Sequence, residues 1–355
     1  MTERYINLEN TYTIIPENTQ ESDKKRQILI SKKLNGSVYN KLDIKEYQKN
    51  NFNQVFITDK INFFSLVKLL IIKKNKLYSY NLELNSLSYK ALTEYFVEDI
   101  LTTNYFYKIF KTYLFDIIKI FFYRLNFYLS DTICILPSQH RIKFFKDNLK
   151  INCKYICIKN MPISSDLYNE KFNLPFNLSN NIKKIINSKN YFFLNGNVNN
   201  KPDLIKLLKY CNQKKIYLLI STKQKRLINN IDKNLSKNFI NVGYIKDKAL
   251  MYFIISNSLA GVCFYNNRTL NQKYSSSSKF YDFIVYQKSI IHSDNYGIKK
   301  EIEFIKKLNS GYNFYNINLL NSDKEIFDKV TKDINQNFIF DNYYKNLDIS
   351  QGSEY

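Results

Sequence analysis

The 355-residue chain carries 53 Lys and Arg against 31 Asp and Glu, a formal net charge of +22, with 45% hydrophobic and 16% aromatic residues. That apolar content excludes wholesale disorder, and only 7 Gly and 5 Pro exclude collagen-like and linker-like chains. At roughly 100–200 residues per domain the length predicts two domains.

Short apolar, β-rich runs alternate with longer helical patterns, the signature of βαβ units and parallel sheets. After a weakly patterned start with a short strand at Tyr12–Ile15, strands are predicted at Gln27–Ser31, Gln54–Thr58, Leu77–Tyr80, Thr132–Leu136 and Tyr155–Lys159. Helices are predicted between them at Phe63–Lys73, Tyr105–Leu129 and Gln139–Leu149. Met161–Pro175, with two prolines and no periodicity, reads as an interdomain linker. The alternation then restarts, with strands at Tyr191–Leu194, Ile216–Ile220, Ile240–Ile245, Ala260–Phe264 and Ile290–His292. Helices are predicted at Pro202–Cys211, Lys248–Ser256, Ser278–Tyr286, Lys300–Lys307 and Lys324–Asn335, before a short Tyr343–Leu347 segment and a polar tail. The domains expected are 1–160 and 176–335, joined by 161–175 and followed by 336–355. The fold class is α/β: two Rossmann-like halves facing each other across a cleft, with ligands outside the carboxyl ends of the strands.

Two constellations carry chemistry. In Tyr191–Asp203 a buried strand runs into Asn195-Gly196-Asn197, and a helix opens at Lys201-Pro202-Asp203. Gly196 lets the backbone turn tightly beside a ligand. Proline suits the first helical turn, and Lys201 beside a helix start makes an anion site; an ordinary strand-to-helix turn would look the same. The second is Tyr274-Ser275-Ser276-Ser277-Ser278-Lys279 leading to Asp282 and Phe283, then Lys288-Ser289-Ile290-Ile291. Serines cap helices, and Ser278 and Asp282 share a helical face. A carboxylate there can accept hydrogen bonds from a ribose diol; a capped amphipathic helix is the plainer reading.

In this order the pieces resemble the nucleotide-binding half of GT-B glycosyltransferases of family 4. Gly196 stands at the family's strand-ending glycine, Asn197 at its arginine and Lys201 at its lysine. Val242-Gly243-Tyr244 matches the hydrophobic-Gly-aromatic element near the base, and Ser276–Phe283 with Lys288–Ile291 matches the serine–lysine–acid helix and its strand. Ser130–Ser138 and Ile158–Pro162 match the passage between domains. The resemblance covers about residues 130–310. It implies a nucleotide-sugar donor held by Gly196, Asn197, Tyr244, Ser277, Ser278 and Asp282, with Asp282 on the ribose. It also implies retention of anomeric configuration and no bound metal or other cofactor. Tyr274 stands where the family has its first Glu, and Asn197 removes a diphosphate cation, leaving Lys201, Lys279 or Arg268 to serve. In the first half, Gly36 of Leu34-Asn35-Gly36-Ser37 matches the family's glycine turn near the diphosphate, and Glu83 its acidic acceptor-side residue.

On a helical wheel Lys108, Lys111, Thr112, Lys119 and Asn126 of the 105–129 helix form one stripe on an aromatic cylinder. Such a helix can lie in an anionic membrane interface or serve as a core helix with a narrow wet edge. No apolar run reaches the ~18 residues of a span, and no apolar leader follows Met1. The 5 Cys and 2 His show no zinc spacing. These features point to a cytoplasmic protein with free thiols, peripheral at most to the inner membrane face. The positive charge is diffuse, partly a product of compositional bias, which speaks against nucleic acid. The expected activity is a bacterial-type transfer of sugar from a nucleotide-diphosphate sugar to a glycan or lipid-linked glycan, catalysed around Lys201, Lys279 and Glu83. A sugar-nucleotide epimerase, a noncatalytic glycan-binding relative and a basic nucleic-acid-binding protein are the alternatives.

Overall fold

The computed structural model describes residues 10–102, 106–149, 151, 153–167, 179–198, 200–224, 231–232, 234–308, 311–320 and 334–345. The chain divides into two compact units, one formed up to Lys159 with Thr269–Asn271, the other by Asn160–Arg268 with Gln272–Lys345. Each is built on a six-stranded sheet, and every pairing in both sheets is parallel. The α/β class expected from the alternation is the class found.

The first sheet uses β1 (Thr11–Ile14), β2 (Gly36–Tyr39), β3 (Gln54–Thr58), β4 (Lys76–Tyr80), β5 (Asp131–Leu136) and β6 (Lys154–Cys157) in the order β2-β1-β3-β4-β5-β6. β3 is buried along its whole length, which is why it reads as a continuous apolar run rather than an alternating one. The winding reverses between β1 and β3, so their carboxyl ends flank a switch point, where α/β sheets form their crevices.

Three expectations fail in this unit. Gln27–Ser31 is not a strand but part of a helix, Glu21–Lys33. Its buried residues Arg26, Gln27, Ile30 and Ser31 recur with helical spacing, but three of the four are polar and hide the period. Gly36 consequently opens β2 at the amino end of the sheet, away from the crevice. A Cβ there would come within 2.6 Å of Thr13 Oγ1, so this glycine serves close packing of β2 on its neighbours. The third concerns the Phe106–Tyr128 helix, whose polar stripe divides: Lys111 and Thr112 are exposed, whereas Lys119 and Asn126 turn inward. Asn126 is fully buried and donates to the Leu66 carbonyl at 3.0 Å, while half-buried Lys119 donates to the Asp59 carbonyl at 3.3 Å. Carbonyls at the ends of neighbouring elements need donors, and these side chains supply them. Phe115, Ile118 and Phe121 are exposed instead.

The second sheet uses β7 (Tyr191–Asn195), β8 (Tyr217–Ser221), β9 (Phe239–Asn241), β10 (Ala260–Cys263), β11 (Ser289–His292) and β12 (Phe314–Asn316) in the order β12-β11-β10-β7-β8-β9. This is the dinucleotide-fold order, with its switch point between β7 and β10. Leu194, Leu207, Leu208, Ile220 and Val262 form one core face between this sheet and the Lys201–Lys214 helix. Asn200 caps that helix by accepting from the Asp203 N–H at 3.3 Å, and Pro202 occupies its first turn, where a missing N–H costs nothing. β9 ends at Asn241, short of the strand expected to reach Ile245. The helix expected at Lys300 begins four residues earlier at Tyr296, and Phe340–Lys345 is helical. Residues 168–175 of the expected linker and 324–333 of the expected helix lie outside the described residues.

Candidate functional site

The switch point of the second unit gathers residues distant in sequence. β7 ends at Asn195, and Gly196 turns the chain with φ +89°. Its N–H donates to the Ser221 carbonyl at the end of β8 at 2.6 Å. A Cβ on Gly196 would lie 2.5 Å from Lys279 Nζ and 2.7 Å from its Cε, so the Lys279 amine rests directly on bare backbone. Lys279 is carried there by the Ser278–Ile284 helix. Ser277 caps this helix, accepting from the Lys279 N–H at 3.2 Å, and receives a hydrogen bond from the Tyr265 hydroxyl at 2.7 Å. The Lys279 ammonium stands 6.0 Å from the centre of the Tyr265 ring. The structure therefore brings Gly196, Ser277, Ser278 and Lys279 together. A fixed cation over side-chain-free backbone can accept an anionic group at close range.

The other expected residues of this unit differ in exposure and contacts. Asn197 and Lys201 are exposed. Tyr244 follows Gly243, whose φ is +76°. Tyr244 is 49% exposed, and the Lys223 ammonium stands over its ring, 4.2 Å from the centroid. Asp282 lies deeper: it is buried and accepts from the Tyr252 hydroxyl at 2.8 Å. The same four-residue spacing that aligns it with half-buried Ser278 carries it into the core. Tyr274 packs edge-on against Tyr296 with centroids 5.2 Å apart, and Arg268 is exposed.

Sequence reasoning missed Tyr265, Lys223 and Glu301. Glu301 is fully buried and accepts from the Ser276 hydroxyl at 3.0 Å and from the Tyr281 hydroxyl, fastening the serine run. Nothing local marks these three, because each reaches the serine–lysine segment or Tyr244 only through the fold. His292 is buried, which pushes its pKa down, and His140 is buried with Nε2 3.1 Å from Ser138 Oγ.

In the first unit Glu83 is half-buried and borders a cavity of about 150 Å³ together with Asp59, Asp116 and Lys119. Asp59 directly follows β3, and its Oδ2 accepts from the Leu82 N–H at 3.3 Å. Burial pushes its carboxyl up to about 6, the Glu83 charge adding to the rise and Lys60 opposing it. Sequence reasoning missed Asp59 as well, since one Asp after a strand is an ordinary turn residue.

No protein-family model and no curated protein matches the sequence. Among solved structures, the chain is similar to a glycosyltransferase from Rickettsia africae, with 12% identity, TM-score 0.51 and coverage of 82% of this chain and 80% of that one. It also aligns with sucrose-phosphate synthase from Thermosynechococcus elongatus at 12% identity and TM-score 0.46, covering 72% of this chain but only 59% of that longer one. A third alignment is with Anabaena HepE, determined with UDP and glucose, at 9% identity, TM-score 0.42 and 82% coverage of each chain. The likeness to the Rickettsia protein, with the two parallel six-stranded sheets, establishes the GT-B fold class.

Proposed function

We propose that the chain is a nucleotide-sugar-dependent glycosyltransferase, moving a sugar from a nucleoside-diphosphate sugar to a glycan or lipid-linked glycan. The observation that carries this reading is the Lys279 ammonium seated on Gly196 at the β7–β10 switch point. A diphosphate leaving group gains negative charge as the glycosidic bond breaks, and a preformed cation beside open backbone stabilises that charge without reorganising. Lys201, exposed at the start of its helix, adds a second cation, and Tyr244 offers its ring to the base. The hydroxyls of Ser277 and Ser278 flank Lys279. Asp282 acts in this reading through Tyr252, holding the helix that presents Lys279, rather than as the first contact of the ribose. Retention of configuration without a resident metal belongs to the same reading.

The acceptor side favours a membrane partner. Phe110, Leu114, Phe115, Ile118 and Phe121 are each 40% or more exposed along the Phe106–Tyr128 helix. Lys60, Lys68 and Lys111 are exposed in the same unit. No helix among the described residues is long and apolar enough to cross a membrane. An apolar face with lysines nearby suits the interface of an anionic bilayer, where a lipid-linked acceptor would reside.

The test is a thermal-shift panel of UDP, GDP and CMP and their sugars. A nucleotide at about 100 times its Kd adds roughly 2.7 kcal/mol, a shift of several degrees for a domain of this size. One nucleotide shifting wild type and failing with Lys279→Ala supports the reading. No shift with any of them removes it. Donor turnover without any acceptor would instead favour the epimerase.

A further inference from the structure

The first unit holds two cysteines side by side, away from the strand ends. Cys134 lies within β5, and Cys153 immediately precedes β6. The parallel register sets Cys134 opposite Tyr155, and alternation along the strand returns residue 153 to the face of residue 155. Both cysteines are free thiols, and the Cys134 thiol hydrogen-bonds the Cys153 sulfur. Pairing of β5 with β6 brings them together; nothing in the sequence spacing does.

Their surroundings differ. Cys134 is fully buried, and the Asn81 amide nitrogen donates to its sulfur at 3.5 Å. Cys153 is partly exposed. Beside it stands Tyr155, whose hydroxyl donates to the Ile151 carbonyl at 2.9 Å and also hydrogen-bonds the Cys153 sulfur. The exposed Lys146 ammonium lies 5.7 Å from the centre of the Tyr155 ring. The hydrogen bond from Cys134, helped by Tyr155 and Lys146, draws the Cys153 thiol below its ordinary range, against burial. Burial pushes Cys134 well up, as it does Cys211 and Cys263. The thiolate is the attacking form of cysteine. Cys153 is therefore placed as the nucleophile, and Cys134 keeps its proton until a partner sulfur is oxidised. A partly exposed, thiolate-prone cysteine next to a second thiol is the arrangement that oxidises reversibly.

We propose that Cys153 and Cys134 form a reversible oxidation site, in which a hydroperoxide oxidises Cys153 and Cys134 resolves the product to a disulfide. In the first step the Cys153 thiolate attacks the terminal oxygen of the hydroperoxide. The O–O bond breaks, an alcohol (water, from hydrogen peroxide) leaves with a proton, and the sulfur becomes a sulfenic acid. In the second the Cys134 sulfur attacks the Cys153 sulfur as its proton departs. The S–S bond forms, the S–O bond breaks, and hydroxide leaves with that proton as water. The hydroperoxide is reduced by two electrons and the two thiols supply them. The product fastens the entry of β6, the sheet's outer strand, to β5. A thiol reductant reverses it by exchange. The site is independent of the glycosyl-transfer reading.

The experiment treats the reduced full chain with hydrogen peroxide, blocks the remaining thiols and maps the cysteines by mass spectrometry. The expected product is a Cys134–Cys153 linked peptide, lighter by two hydrogens and undone by dithiothreitol. Cys153 should react at least about tenfold faster than Cys157, the other partly exposed cysteine, since thiolate fraction changes about tenfold per pKa unit. In Cys153→Ser, Cys134 should stay reduced at the same dose. In Cys134→Ser and Cys134→Ala, the Cys153 sulfenic acid should persist and be trapped by dimedone. The wild-type map needs neither variant to fold. Cys153 reacting no faster than Cys157, a sulfenic acid persisting on Cys153 in wild type, or disulfides joining other cysteines instead would overturn the proposal.

Discussion

The two units apply one topological device with opposite charge. At the β7–β10 switch point a lysine rests on bare glycine backbone; at the β1–β3 switch point a buried aspartate faces a cavity. In both, the winding of a parallel sheet reverses and opens a crevice at the strand ends. The side chain placed there decides what the crevice can hold. One crevice is floored by glycine under a lysine amine, and the other is lined by Asp59, Glu83 and Asp116 with Lys60 and Lys119 among them. Fold class alone would not separate these roles, since the two sheets share architecture and differ in the residues at their reversals.

The sharpest way to break the comparison is Gly196→Ala. The backbone at φ +89° strains any side chain by about 1–2 kcal/mol, and the new methyl occupies the Lys279 amine's place. Nucleotide binding should fall more than about tenfold and the melting temperature by a few degrees. Unchanged binding measured by titration would mean that Lys279 is not part of the cradle.

The next effect is on the acidic side and concerns pH. The Asp59 carboxyl lies at about 6 in the fold against 3.8 as its ordinary value, so the folded state holds its proton more tightly than the unfolded chain. Stability is therefore greatest with Asp59 protonated, and falls as pH rises from about 4 through 6. The loss is about 3 kcal/mol by linkage. Lys60, Glu83, Asp116 and Lys119 border the same cavity and Asp23 adds its charge, so the whole group shapes the curve. Asp59→Asn should shift the melting temperature upward by several degrees more at pH 7.5 than at pH 4.5. An equal effect at both values would place Asp59 among ordinary solvated carboxylates.

Much of this was readable in the sequence. Strands buried on both faces, such as Val55-Phe56-Ile57 and Leu218-Leu219-Ile220, announce themselves as apolar runs. Gly196 and the Ser277–Lys279 segment were legible because turn chemistry and capping are local. The Glu21–Lys33 helix was not, since it buries Arg26, Gln27 and Ser31 along with Ile30. The inward turn of Lys119 and Asn126 on the Phe106–Tyr128 helix was not legible, because these two side chains answer carbonyls of other elements. Asp59, Tyr265 and Glu301 owe their roles to partners that only the fold supplies.

Smaller effects sharpen the picture. Replacing Phe115, Ile118 and Phe121 together with Ser should leave the melting temperature within a few degrees, because these side chains are already exposed. It should abolish sedimentation with anionic vesicles. Retained sedimentation would move the membrane contact elsewhere. Lys201→Ala, at an exposed site, should weaken diphosphate binding only about two- to threefold, in the range of screened surface charges. A loss as large as that of Lys279→Ala would make Lys201 the principal cation.

The central claim is that Lys279 on Gly196 receives a diphosphate. Calorimetric titration of wild type and Lys279→Ala with a nucleoside diphosphate and with its parent nucleoside tests it most directly. The account predicts that wild type prefers the diphosphate by about tenfold or more, that added salt erodes the preference, and that Lys279→Ala erases it while nucleoside binding stays. A diphosphate preference unchanged in Lys279→Ala, or no diphosphate binding at all, would contradict it.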